Sequence, residues 1–213
     1  MFSTPAPLLE TVAAQKRGAA RGMAAACTAH GEVLLAAMQQ ARADGAVFLA
    51  EATCNQVNQF GGYTGLTPRN FADALDGLAR RAGLPAERIL LGGDHLGPNP
   101  WRREPTAEAM AKAAEMVAAY ARAGFRKIHL DASMPCADDQ DLPPAVVAHR
   151  AAQLCAAAEI ALDEEDAALR PVYVIGTEVP PPGGARDDAG LQVTRPADAL
   201  ETAALFRAAL GIT

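Results

Sequence analysis

Short, almost unbroken apolar runs alternate five times along this chain with polar loops carrying Gly or Pro, each followed by a longer stretch of helical period. The runs are Gly22 to Thr28, Ala46 to Ala52, Ile89 to Gly93, Lys127 to Asp131 and Val172 to Thr177. A run with little alternation is the signature of a parallel strand covered on both faces, and a strand–loop–helix rhythm predicts βα units. The helix after the second run is marked at both ends. Thr67 caps its free N–H groups, Pro68 suits its first position and Gly83 stops it, with Phe71, Leu75, Leu78 and Ala82 on one stripe. The third is expected over Thr106 to Ala123 with Met110, Ala114, Val117 and Ala121 inward, and Gly124 as its stop. The fourth presents Val147, Ala151, Leu154 and Ala158, and the fifth Leu200, Ala203, Phe206 and Leu210. No linker divides the units, so residues 1–213 are expected to form a single α/β domain. The spacing of the strands suits a doubly wound sheet or a barrel, and no G-x-G-x-x-G follows the first run.

Composition narrows the class. Half of the 213 residues are apolar and about a fifth charged, enough for a sizeable core. Aromatics are only 5%, so closely packed helices with small inward side chains are expected. The net charge of −6 is spread without a basic run, which argues against nucleic-acid or anionic-membrane binding. The first residues lack the pattern of a signal peptide and no 18-residue apolar run occurs, so a soluble cytoplasmic protein is expected. Cys27, Cys54, Cys136 and Cys155 show no C-x-x-C spacing and are expected as reduced thiols, mostly buried.

The candidate chemistry gathers where strands end, the face on which barrels and open sheets build their sites. The second run leads through Glu51 into a loop with four carboxamides, Asn55, Gln56, Asn58 and Gln59, then Gly61, Gly62 and Gly65. Such a loop either offers donors and acceptors to a polyhydroxylated ligand or bonds to itself over the mouth of the sheet. The third run leads to Asp94-His95, a carboxylate beside an imidazole, able to move a proton and to bind a metal. The fourth carries His129 and Asp131 on one side, with Ser133 beyond. His129, inside an apolar run, is expected as a core histidine, and Asp131 as the functional residue. The fifth leads to Glu178 before a stiff Pro-rich loop. His30 is expected to open a helix, His149 lies off its helix stripe, and Trp101 is expected as a lid. P-loop, nucleophile-elbow and kinase signatures are absent, so phosphotransfer has no motif to rest on.

Four segments in order carry a resemblance: Glu51 to Gly65, Leu91 to Asn99, Lys127 to Met134 and Val174 to Pro180. From about Leu8 to its end the chain resembles the N-terminal half of the Z-subunit family of class II D-tagatose-1,6-bisphosphate aldolase. The resemblance implies a (β/α)8 TIM-barrel fold, of which this chain would supply about five βα units. It implies a non-catalytic subunit in galactitol and N-acetylgalactosamine catabolism, supporting a zinc-dependent catalytic partner. Relatives of the family also resemble metal-dependent ketose epimerases, which implies the alternative of an aldolase or epimerase in its own right.

Carried over from class II aldolases, Asp94 would be the proton-transfer residue and His95 a ligand of a divalent metal, zinc by analogy. Glu51, Asp131 and Glu178 would be the other catalytic candidates, with Asn55, Gln56, Asn58, Gln59 and Ser133 touching a sugar phosphate. A partial barrel with two open edges is also expected to be an oligomer.

Overall fold

The computed structural model describes residues 1–162, 167–176 and 195–212. Five strands, β1 (Ala25–Cys27), β2 (Phe48–Thr53), β3 (Ile89–Leu96), β4 (Lys127–Leu130) and β5 (Val172–Val174), form one parallel sheet. Their order is β1-β2-β3-β4-β5. That order decides what strand spacing left open. A doubly wound sheet reverses direction at a switch point, whereas strictly sequential strands with right-handed crossovers put every helix on the same side, as in part of a (β/α)8 barrel.

The helices are α1 (Ala6–Lys16), α2 (Gly31–Ala43), α3 (Pro68–Ala82), α4 (Thr106–Arg122), α5 (Pro144–Ile160) and α6 (Pro196–Leu210). From α2 to α6 each packs against the next. The capping signals of α3 act as expected: the Thr67 hydroxyl accepts from the Asn70 N–H at 3.3 Å, and Gly83 ends the helix at φ +65°. Phe71, Leu75 and Ala82 are buried on α3; Val147, Ala151, Leu154 and Ala158 are buried on α5. The expected α6 stripe needs correcting. Only Phe206 is buried and Leu200 is 72% exposed, because among the described residues α6 meets the core only along its α5 side. Helix α1, not foreseen, precedes the first unit. Just before it the Ser3 N–H donates to the Ile89 carbonyl at 2.8 Å, tying the segment beneath β3.

The period-two rule sorts the strands. Phe48, Ala50 and Ala52 of β2, Ile89 and Leu91 of β3, and Ile128 and Leu130 of β4 enter the helix-facing core. Their alternates face the other way and stack in rows: Ala25, Leu49 and Leu90; then Cys27, Glu51, Gly92 and Lys127. The sheet face away from the helices is therefore apolar low on the strands and polar toward their C-terminal ends. No helix among the described residues is long and apolar enough to cross a membrane.

Candidate functional site

Glu51 and Lys127 share a row but not a strand border, since Gly92 of β3 lies between them. Gly92 is the gap through which they meet. A Cβ there would lie 2.8 Å from Glu51 Cγ and 2.9 Å from Oε1, so only glycine lets the Glu51 chain lie across β3 to pair with Lys127 Nζ. Lys127 Nζ is also 3.6 Å from Asp94 Oδ1 and its side chain is only 12% exposed, so the ammonium is held between two carboxylates away from bulk water.

One row higher, regular alternation would send Asp94 and His95 to opposite faces. His95 instead adopts φ +50°, and the pairing register of β3 with β4 shifts between Gly93 and Leu96. This break, in a region L-residues rarely occupy, turns both side chains into one cluster. His129 Nδ1 is 2.9 Å from Asp94 Oδ1, and His95 Nδ1 is 2.9 Å from Asp131 Oδ2. The rings stand 4.7 Å apart between centroids. Burial works against ionisation of Asp94, yet the His129 hydrogen bond with the Lys127, His95 and His129 charges holds its carboxyl far below the ordinary range. Asp131 is likewise lowered against burial, by the His95 hydrogen bond and by the Ser133 hydroxyl and N–H. His95 is raised, chiefly by the Asp131 hydrogen bond and against its burial. An ionised carboxylate can only accept, so His95 Nδ1 donates to Asp131, while His129 Nδ1 faces both Asp94 Oδ1 and, at 3.4 Å, the His95 N–H; in its neutral form each imidazole keeps one nitrogen lone pair with which to bind a cation.

Asp94, His95 and His129 offer ligand atoms within 4.8 Å of one another. Two imidazole nitrogens and a carboxylate oxygen, with Asp131 fixing His95 from behind, fit a divalent first-row cation. His129 is buried, as expected of a core histidine, and its ring also joins this cluster. The period-two rule already paired it with Asp131, but its apolar flanks pointed the other way. Lys127 and Cys27 were also missed. Cys27 Sγ is 3.5 Å from Asp94 Oδ2; although the residue as a whole is exposed, desolvation of its sulfur by the packed groups around it, with the nearby Asp94 and Glu51 charges, pushes the thiol up to about 12.

Other expected residues are placed as follows. Ser133 donates from its N–H and its hydroxyl to Asp131 Oδ1 at 3.0 and 2.6 Å, so in this structure it braces Asp131. Three carboxamides hold their own loop. Gln56 accepts from the Thr53 N–H, Asn58 donates to the Cys54 carbonyl and accepts from the N–H groups of Phe60 and Gly62, and Gln59 donates to the Lys112 carbonyl of α4. Asn55 is the carboxamide left without a side-chain bond in the loop. Glu178 lies outside the described residues. Trp101 sits in a short turn, Asn99–Trp101, with its ring edge-on to Phe60 at 6.0 Å. All four cysteines are free; Cys54 and Cys136 are buried and Cys27 is exposed.

The chain is 54% identical over 180 residues to a D-tagatose 6-phosphate 4-epimerase of Agrobacterium fabrum, covering 84% of this chain and 42% of that protein. It is 52% identical over 203 residues to the D-tagatose-1,6-bisphosphate aldolase subunit GatZ of Klebsiella pneumoniae, covering 94% and 48%. The crystal structure of "a probable tagatose 6 phosphate kinase" from Sinorhizobium meliloti superposes with a TM-score of 0.77 at 50% identity, covering 90% of this chain and 45% of that one. The chain thus spans less than half the length of each of these relatives. Over residues 8–211 it matches the family described as D-tagatose-1,6-bisphosphate aldolase subunit GatZ/KbaZ-like, and it belongs to that family.

Proposed function

We propose that the cluster opens and recloses the C3–C4 bond of a ketose phosphate. The observation that carries this reading is the convergence of Asp94, His95 and His129 with an ammonium, Lys127, held between Glu51 and Asp94. C4 of a 2-ketose is one carbon beyond the position a carbonyl acidifies, so removing its C–H cannot invert it. Removing the C4 hydroxyl proton can. The C4–O bond becomes an aldehyde, the C3–C4 electron pair moves to C3, and an enediolate spans C2 and C3. Attack on the other aldehyde face returns the C4 epimer with the proton back on oxygen, whereas release of two trioses needs one further proton at C3. The epimerase and aldolase named for the relatives thereby share one bond-breaking step.

In this reading Glu51 accepts the hydroxyl proton and the Lys127 ammonium offsets negative charge on the C2 oxygen. Asp94, His95 and His129 hold a divalent cation, with Asp131 orienting His95 and Ser133 bracing Asp131. When bound, such a cation would polarise the C2 carbonyl. Sugar phosphates are cytoplasmic metabolites, which is where we place the reaction. The test is incubation of the metal-loaded protein with D-tagatose 6-phosphate and with the 1,6-bisphosphate. Metal-dependent epimer or triose phosphate should form, and Glu51→Gln should abolish it while still binding the cation. A loaded protein inert on both sugars would overturn the reading.

The Klebsiella relative, named as an aldolase subunit, favours a second reading in which the chain supports a class II catalytic partner without performing chemistry. Co-expression separates the two. If Glu51→Gln raises the partner's activity as fully as the wild type, and neither acts alone, the supporting role stands. Edge strands β1 and β5 each pair on one side only among the described residues, and Val174 beside Ile175 is partly exposed at the β5 edge. We therefore expect self-association or a covering partner, visible by sedimentation.

A further inference from the structure

The loop between β2 and α3 is built to hold aromatic rings in water. Phe60 and Tyr63 are 65% and 73% exposed, an arrangement that burial would normally remove. Yet the backbone beneath them is pinned on every side. Asn58 bonds the N–H groups of Phe60 and Gly62, the Tyr63 N–H donates to the Asn55 carbonyl at 3.0 Å, and the Thr64 hydroxyl donates to the Gln56 carbonyl at 2.6 Å. Gly62, at φ +55°, admits no side chain, because a Cβ would lie 2.6 Å from the Gln56 carbonyl carbon and 2.8 Å from the Asn55 oxygen. Three of the loop's four carboxamides bond into this scaffolding, although Gln59 Oε1 is buried without a partner among the described residues. The fourth, Asn55, is half-buried, makes no side-chain hydrogen bond among the described residues, and lines an open hollow of about 510 Å³ with Phe60, Tyr63, Pro100 and Trp101.

We infer that this hollow is a carbohydrate subsite, taking the uncharged hydroxylated part of a sugar phosphate. Flat aromatic and proline faces suit the C–H faces of a sugar, and a free amide, both donor and acceptor, suits its hydroxyls. Among the described residues no charged side chain lines the hollow, so its lining offers phosphate no counter-charge. Its position agrees: Asn55 lies two residues beyond Thr53, whose register partner is Asp94, so the hollow opens on the rim of the sheet that carries the cation cluster. A pinned loop loses little entropy on binding, which is what holding exposed rings rigid achieves.

The inference takes its ligand class from the reading above, but its test does not need catalysis. Trp101 is the chain's single tryptophan, so its emission reports this hollow alone. Titration with D-tagatose 6-phosphate should shift or quench that emission saturably, and D-tagatose should do so more weakly, whereas inorganic phosphate at equal ionic strength should not. Tyr63→Ala, at an exposed position that leaves the fold unchanged, and Asn55→Ala should each weaken the response at least tenfold. An equal response to phosphate alone, or an unchanged response in both Tyr63→Ala and Asn55→Ala, would overturn the subsite. So would an emission change that follows protein concentration instead of sugar, which would mark the rings as a contact between copies. An inert enzyme with an intact sugar response would sink the catalytic reading and leave the subsite standing.

Discussion

A Cβ added to Gly97 would overlap the carbonyl oxygen of Asp131 and stand 2.7 Å from its carbon, so the chain leaving β3 runs directly against the end of β4. The obstacle is backbone, which cannot swing aside. Gly97→Ala should force the two strand ends apart, costing at least about 3 kcal/mol and separating His95 from Asp131. A thermal melt beside a metal titration checks this. An alanine variant with wild-type Tm and cation affinity would show that the contact yields.

Gly92 is the contrasting case. Its neighbour is the flexible Glu51 chain, so Gly92→Ala should cost only about 1–2 kcal/mol while breaking the Glu51–Lys127 pair. We expect a folded variant that binds the cation and has lost its turnover. Unchanged turnover would remove the pair from the mechanism.

Asp131 acts through His95. Asp131→Asn keeps the shape but withdraws the carboxylate that accepts from Nδ1. Cation affinity should fall roughly 10–100-fold, as it does when such supporting carboxylates are lost. Isothermal titration with zinc or manganese measures it. Equal affinity in wild type and variant would exclude His95 as a ligand oriented by Asp131.

Away from the site, Arg150 of α5 grips Asp139 with both nitrogens, at 2.8 and 2.6 Å, and Asp139 also accepts from the Cys136 N–H. The Arg150 bond, against burial, holds the Asp139 carboxyl at about 2. A carboxyl lower in the folded chain than in the unfolded chain stabilises fully above the unfolded value, roughly 4, and loses that contribution as pH falls toward 2. The wild-type Tm should therefore drop between pH 5 and pH 2. In Asp139→Asn the Tm should start lower, by the equivalent of about 3 kcal/mol at pH 7, and depend less on acid. Parallel acid profiles for the two proteins would contradict the assignment.

Much of this architecture was written locally. Thr67, Pro68 and Gly83 delimit α3 because capping and positive φ are properties of single residues and their neighbours, and the α5 stripe follows from helical period alone. Asp94, His95, Asp131 and Glu51 were legible as polar residues where apolar runs end, and the four long segments made the family recognisable. What they do to one another was not. That Gly92 opens the path from Glu51 to Lys127 depends on the register of three strands, and register is a property of the sheet. That Asp94 and His95 share a face depends on one residue at φ +50°, which no period-two pattern expresses. His129 looked inert because its neighbours are apolar. Only the juxtaposition of β3 and β4 supplies the carboxylate that orients its ring. The same holds for the carboxamide loop, whose composition suited a ligand and its own backbone equally. Sequence by itself determined the five βα units, the family and the polar rim, since each is set within a few residues or along one motif. Tertiary structure alone decided which rim residues meet, because those contacts join residues 34 to 76 positions apart, and hydrogen bonding is settled by distance in space, not along the chain.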